Sequence, residues 1–321
     1  MYQKYKHKIA LIGCGSWGKN IARNLFEMGN LTCVYDTNKE ISQKFSKTYN
    51  LPILSIDKIL SNKKIDAVVI ASSAVTHISL ATEALINDKD VLIEKPFCLS
   101  LSDAKDLSRL AVDRKKILMV GHLLNYHNAF IKMKSLINDN TLGNIINIRA
   151  HRLALGSVRS DESVTYDLAA HDISMILSIM QSTPIDLEVQ SIHHNSNTGP
   201  DAISVKLSFE KGRTALINCD WMCPYKEHRF SVVGKKGSLI FNDTENWSNK
   251  LSYNPSFINS DNTITSFPLQ NIYVEQNEPL KTELEEFINC IHYRKNPLTD
   301  HNEAINVQTV MEMIENKLKR D

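Results

Sequence analysis

The chain has 321 residues, enough for two domains and a sizeable core. Lysine plus arginine number 37 against 36 aspartates plus glutamates, so no net field recruits nucleic acid or an anionic membrane surface. There is no apolar run of the roughly 18 residues a spanning helix needs. The amino-terminal stretch has no signal-peptide core, and the six cysteines are scattered through apolar segments, so a reduced, cytoplasmic protein is expected.

Ile9 to Ile12 is a short apolar run of the kind expected for a buried parallel strand. Gly13-Cys14-Gly15-Ser16-Trp17-Gly18 follows at once and fits G-x-G-x-x-G. A helical pattern then runs from Trp17 to Met28 and stops at Gly29. The first glycine permits a tight turn, the second a close approach to a pyrophosphate, and the third lets the helix pack on the strand. The helix start offers free N–H groups to that phosphate. A second apolar strand, Leu31 to Tyr35, ends at Asp36, 18 residues after Gly18. A carboxylate there accepts both ribose hydroxyls of an adenosine, and no arginine stands nearby to meet a 2′-phosphate, so NAD is the expected cofactor.

Strand and helix continue to alternate. Asn38 caps a helix to Tyr49, and Ile53-Leu54 reads as a short strand before a brief helix from Asp57 to Ser61. Ala67 to Ser72 is a buried strand, followed by a helix from Thr76 to Asn87. Val91 to Glu94 is the next strand and runs into Lys95-Pro96. Ser102 or Asp103 caps a helix to Arg114, and Ile117 to Val120 ends at Gly121-His122. Repeated β–α units predict a doubly wound parallel sheet, a Rossmann domain over residues 1–121. Right-handed crossovers gather the carboxyl ends of the strands on one ligand-binding edge. The set expected around the cofactor is Gly13, Gly15, Ser16, Trp17, Gly18, Asp36, Ser72, His77, Glu94, Lys95 and His122.

After His122 the pattern changes, and seven of the nine prolines lie beyond residue 183. A helix from Asn128 to Asn138, a strand from Asn144 to Arg152 and a helix from Tyr166 to Met180 come first. Alternating strands follow: Ile203, Val205, Leu207 and Phe209; then Ala215, Ile217 and Cys219; then Phe230 and Val232. Leu280 to Arg294 and Glu303 to Lys319 read as closing helices. Residues 122–321 are therefore expected to form an α+β domain on a large, mainly antiparallel open-faced sheet. The apolar alternation on its second face predicts a homodimer or homotetramer through that sheet.

Lys95, at a strand end, has the reach to hydrogen-bond a reacting oxygen beside a nicotinamide, with Glu94 holding it; read alone, it also suits a surface loop. Asp167 and His171 are four apart on one expected helix and share a face. A histidine suits proton transfer near neutral pH, and a carboxylate one turn away biases its tautomer. A capping or core histidine with a structural acid fits the same spacing. Arg152, Arg159, Lys226 and Arg229 offer paired donors to a diphosphate or form a solvated charge face. Tyr126 or Trp221 suits an apolar ring face, with the core the more natural place for Trp221. Cys219, Cys223 and His228 match no zinc spacing, and no metal is expected.

The glycine motif with Asp36, Glu94-Lys95-Pro96, the stretch VGHLLNYHNAF and Asp167-x3-His171-Asp172 together resemble the glucose-fructose oxidoreductase / inositol dehydrogenase / MocA family over essentially the whole chain. The resemblance implies that Lys95 and His171 are the catalytic pair and that Asp167 assists the histidine. A narrower resemblance runs through His151 to Arg159 and Trp221-x2-Pro224-x-Lys226-x2-Arg229. It is similar to the family's sugar-nucleotide dehydrogenases, which oxidise C3 of a UDP-linked hexosamine before transamination for surface glycans such as lipopolysaccharide. It implies substrate contacts at Lys95, Tyr126, Arg152, Arg159, Tyr166, His171, Lys226 and Arg229. Tyr166 stands where relatives often carry Trp, and Asn125 where other branches carry Arg. The implied substrate is UDP-N-acetylglucosamine, with its uronic acid next. A dehydrogenase or reductase of a free sugar or polyol, and a non-catalytic NAD-binding regulator, remain the alternatives.

Overall fold

The computed structural model describes residues 5–156, 163–193 and 199–319. The chain folds as two compact units. The first is the chain as far as Leu123 together with Glu278–Gln308; the second is Leu124–Asn277 and the chain from Thr309 onward.

In the first unit β1 (Ile9–Ile12), α1 (Gly18–Glu27), β2 (Leu31–Tyr35), α2 (Lys39–Tyr49), α3 (Ile56–Ser61), β3 (Ala67–Ile70), α4 (His77–Ile86), β4 (Asp90–Ile93), α5 (Leu101–Asp113) and β5 (Leu118–Val120) succeed one another. The five strands lie in the order β2-β1-β3-β4-β5, all parallel. Every residue of β1, β3, β4 and β5 is buried, because helices cover both faces of a parallel sheet. Each such Ile, Leu or Val side chain contributes roughly 1.5–3 kcal/mol by leaving water. Asn38 caps α2, its side chain accepting from the N–H groups of Glu40 and Ile41. The cap of α5 is Ser100 rather than Ser102 or Asp103; its hydroxyl accepts from the Asp103 N–H, and the helix begins one residue later. Ile53 makes a single bridge to Val34 rather than a strand.

The second unit contains α6 (Asn128–Asn138), β6 (Ile145–Leu153), α7 (Ala170–Met180), β7 (Asp186–Ile192), β8 (Ala202–Ser208), β9 (Thr214–Asp220), β10 (Glu227–Gly234), β11 (Gly237–Asn242), β12 (Leu251–Asn254), β13 (Phe257–Ile258), β14 (Ile264–Thr265) and β15 (Gln270–Asn271). Its eight-stranded sheet runs β15-β12-β11-β10-β6-β9-β8-β7, antiparallel except for the β6–β9 pair. One face is apolar: Ile148, Ala150, Ile203, Val205, Leu207, Ala215, Ile217, Phe230, Val232, Leu239 and Phe241 are all buried. The opposite face is mixed rather than apolar. One row across it reads Glu188, Lys206, Leu216, Arg149, Ser231, Ile240.

Two helices close the chain, α8 (Pro279–Tyr293) and α9 (His301–Leu318). The sequence assigns both to the second domain, but α8 and α9 up to Gln308 belong to the first unit. Leu284 and Phe287 of α8 are fully buried, and Glu278 at its start accepts from Arg23 and Asn24 of α1. An amphipathic pattern specifies that a face is buried, not which core receives it. Among the described residues no helix is long and apolar enough to cross a membrane.

Candidate active site

The backbone at the carboxyl ends of the first unit's strands is stitched in sheet order. Gly13 N–H donates to Tyr35, Ala71 to Ile12, Glu94 to Ile70 and Gly121 to Ile93, at 2.8–2.9 Å. This sets Gly13, Asp36, Ser72, Glu94, Lys95 and His122 along one edge. Gly13 has φ +98°, and a Cβ there would lie 2.5 Å from the Ala71 carbonyl. A Cβ on Gly18 would collide with the Gly13 carbonyl oxygen, so the third glycine is what lets α1 start against β1. A Cβ on Gly15 would meet no protein atom; Gly15, Ser16 and Trp17 are exposed. No side chain caps α1 and no acid stands in its first turn, which leaves its amino end suited to an anion.

Asp36 is held by two backbone donors: Cys14 N–H to Oδ2 at 2.7 Å and Asn38 N–H to Oδ1 at 2.8 Å. Its carboxylate is thus oriented with lone pairs to spare for a vicinal diol. Together with the open Gly15 position, this fits an adenine dinucleotide.

Glu94 is buried at 8% exposure. Its Oε1 accepts from the Trp17 indole N–H at 2.5 Å and its Oε2 from the Lys95 N–H at 3.3 Å. Gly121 leaves room for this carboxyl, since a Cβ there would lie 2.9 Å from Oε2. Burial pushes Glu94 up to about 7, against the opposing pull of Trp17, Lys95 and His122. His122 is buried, with Nδ1 2.7 Å from Glu303 Oε2, a partner the sequence reading missed because it lies 181 residues away. His77 is 1% exposed, its Nδ1 2.8 Å from the Pro96 carbonyl and its Nε2 3.1 Å from the Ser72 carbonyl. Burial lowers its pKa, and a neutral ring, with one N–H, donates to one of these two carbonyls.

In the second unit Asp167 and His171 do not share one α-helix. Thr165–Ala169 is a π-helical turn, and α7 begins at Ala170, so the wider turn carries Asp167 and the α-helix carries His171. Such turns concentrate at functional sites. Asp167 Oδ2 accepts from the Trp221 indole N–H at 3.0 Å, and both residues are buried. Trp221 is therefore core, as expected, but also orients the acid. Asn125 donates to Ser174 Oγ at 2.7 Å. Tyr126 is 4% exposed and has little surface to offer a ring. Tyr166 is half-buried.

The expected basic cluster separates. Arg152 lies opposite His228 and Arg229 opposite His151, so Arg152 and Arg229 point to opposite faces of the sheet. Arg152 is bound at two points by Asp172, Nε to Oδ2 at 3.1 Å and a terminal nitrogen to Oδ1 at 2.8 Å. Arg229 pairs with Glu227 at 2.9 Å, and Lys226 is exposed. Arg159 lies outside the described residues. His228 shares the Arg152 face; burial, then Arg152 and Lys226, lower its pKa to about 4. Among the described residues no cluster of His, Cys, Asp and Glu is set to hold a metal ion.

A parallel sheet with this glycine turn and acid, joined to a second unit built on a large mixed sheet, defines a two-domain dinucleotide-dependent protein. Residues 7–122 match the family described as "Oxidoreductase family, NAD-binding Rossmann fold", and residues 130–240 match the "GFO/IDH/MocA C-terminal domain". The chain belongs to the GFO/IDH/MocA oxidoreductase family. It is 25% identical over 248 residues to 2,7-anhydro-N-acetylneuraminate hydratase of Escherichia coli (strain K12), a match covering 71% of this chain and 66% of that protein, just under two thirds of its length. It is 22% identical to scyllo-inositol 2-dehydrogenase (NAD(+)) of Bacillus subtilis (strain 168), over 95% of this chain and 92% of that one. The solved UDP-N-acetylglucosamine 3-dehydrogenase GnnA of Acidithiobacillus ferrooxidans has the same fold, with TM-score 0.86 and 21% identity over 98% of this chain and 99% of that one.

Proposed function

We propose that this oxidoreductase is a cytoplasmic NAD-dependent dehydrogenase of a sugar-ring hydroxyl, and that its substrate is a UDP-linked N-acetylhexosamine oxidised at C3. The observation that carries the dehydrogenase reading is Asp167, in the turn just before His171, with its carboxylate oriented by the Trp221 indole; in the first unit Lys95 follows the buried Glu94 that accepts from Trp17. A nicotinamide held at this edge would supply the hydride acceptor. His171 takes the hydroxyl proton. Asp167, oriented by Trp221 in the turn before His171, would bias the imidazole toward accepting that proton. Lys95 donates a hydrogen bond to the oxygen as negative charge develops on it. Asp36 would hold the adenosine ribose. The likeness to the UDP-N-acetylglucosamine 3-dehydrogenase supports the sugar-nucleotide substrate.

One observation favours a second reading, a free sugar or polyol: Arg152 is committed to Asp172, and Arg229 faces away from it. The inositol dehydrogenase relative fits that reading. The test offers NAD with UDP-N-acetylglucosamine, its uronate, free N-acetylglucosamine and scyllo-inositol, following the NADH band. Oxidation of the free compounds alone overturns the sugar-nucleotide reading, and no NADH from any of them favours a non-catalytic NAD-binding role. We further propose self-association through the mixed sheet face, which Ile240→Arg would weaken in sedimentation.

A further inference from the structure

The edge strand β5 is closed by the start of α9, far away in the chain. Val120 N–H donates to the Thr299 carbonyl at 2.9 Å, and the Thr299 hydroxyl donates back to the Val120 carbonyl at 2.7 Å. Asp300, bridged to Met119, caps α9, one carboxylate oxygen accepting from the N–H groups of Asn302 and Glu303. Glu303 is thereby set in the first turn of the helix, where its Oε2 lies 2.7 Å from His122 Nδ1. The side chains are 2% exposed for His122 and 17% for Glu303, so water competes little for this contact. A carboxylate oxygen only accepts, so Nδ1 carries the proton and the contact fixes the orientation of the ring. Gly121, the residue before His122, is the one against which the buried Glu94 carboxyl rests: a Cβ there would lie 2.9–3.2 Å from all three atoms of that group.

A dinucleotide has an order along this edge. Asp36, after β2, suits its adenosine ribose, and the glycine turn after β1 suits its pyrophosphate. The strand order β2-β1-β3-β4-β5 leaves the ends of β3, β4 and β5 for the nicotinamide half. We propose that Glu303 is a positioning residue for that half: by holding the His122 ring it keeps the Gly121–His122 turn, and the Glu94 carboxyl packed against it, in the arrangement that receives the nicotinamide nucleoside. Gly121 and Leu123, on either side of His122, have no polar side chain to hold it, so the hold comes from α9.

The experiment measures the binding of two probes, NADH and ADP, by calorimetry. ADP has the adenosine and the diphosphate and lacks the nicotinamide half. Glu303→Leu removes the acceptor and should weaken NADH binding roughly three- to tenfold, the effect of losing one hydrogen bond, while leaving ADP unchanged. Glu303→Gln keeps an acceptor oxygen and should retain most of the parent's NADH affinity. His122→Phe should reproduce the Glu303→Leu loss, and the double variant should lose no more than either alone. An unchanged NADH affinity in Glu303→Leu overturns the proposal. Equal loss for both probes does so too, because Glu303 would then support the whole unit rather than one half of the site. Full additivity in the double variant is a third contrary outcome. If Glu303→Leu does not fold, proton–nitrogen NMR of the imidazoles decides. The His122 Nδ1–H resonance, assigned by its absence in His122→Phe, should shift with NADH, stay in place with ADP, and move upfield in Glu303→Gln, whose amide oxygen is a weaker acceptor. A resonance that NADH or Glu303→Gln leaves unmoved overturns the proposal. Neither arm contains a sugar, so both can fail separately from the dehydrogenase reading.

Discussion

Arg152 and Asp172 form a two-point ion pair in the second unit, with side-chain exposures of 11% and 3%. The consequence is that Arg152 supports the fold before it serves any ligand. Removing one partner leaves a desolvated charge, which costs roughly 3–5 kcal/mol. Asp172→Ala and Arg152→Ala should each lower the unfolding free energy measured in urea by that order. The double Ala variant should fall short of the summed losses in a mutant cycle. Full additivity would show that the two do not depend on each other.

Asp36 should set cofactor choice. Its carboxylate is pre-oriented by Cys14 and Asn38, and a 2′-phosphate would meet it with like charge. Hydrogen bonds to charged groups are worth about 1.5–3 kcal/mol, so Asp36→Ala should weaken NADH binding by roughly ten- to a hundredfold. NADPH should be affected far less. Equal dissociation constants for the two cofactors in the unaltered protein would refute this.

Lys95→Ala and His171→Ala should each lose roughly 10²–10⁴-fold in kcat while retaining NADH binding. Trp221→Phe removes the donor to Asp167 and should lower kcat with KM nearly constant, more mildly than His171→Ala. Near-full kcat in His171→Ala would move the general base elsewhere, with Lys95 the first candidate.

His228 should make the second unit acid-sensitive. Its folded pKa is about 4, lowered by burial and by Arg152 and Lys226. The unfolded value is about 6.5. Between those values the unfolded chain binds a proton that the folded one refuses, so stability falls as pH drops from about 6.5 to about 4. Thermal unfolding of His228→Gln against the parent protein should show this part of the slope removed. Parallel curves across that window would mean that the imidazole titrates normally.

Much of the first unit was legible in the chain. Four-residue apolar runs, glycines at fixed offsets and an acid at the end of the second strand are local signals, because a buried parallel strand and a phosphate turn constrain neighbouring residues. The same holds for the Asn38 cap and for the alternation of Ile203, Val205, Leu207 and Phe209. Helix capping slipped at Ser100, where three hydroxyl or acid residues compete within four positions.

What the chain could not show is which side chains meet across long separations. Trp221 orients Asp167 from 54 residues away, Glu303 reaches His122 from 181, and α8 returns to the first unit. Residue types at a site are written locally, but their partners are chosen by packing. The basic residues show the difference most plainly. Arg152 and Arg229 look alike in sequence, yet pleating repeats every two residues and the β6–β10 register puts them on opposite faces. Register is settled by the whole sheet burying one face, so only the tertiary structure decided that Arg152 belongs to Asp172 and Arg229 to Glu227.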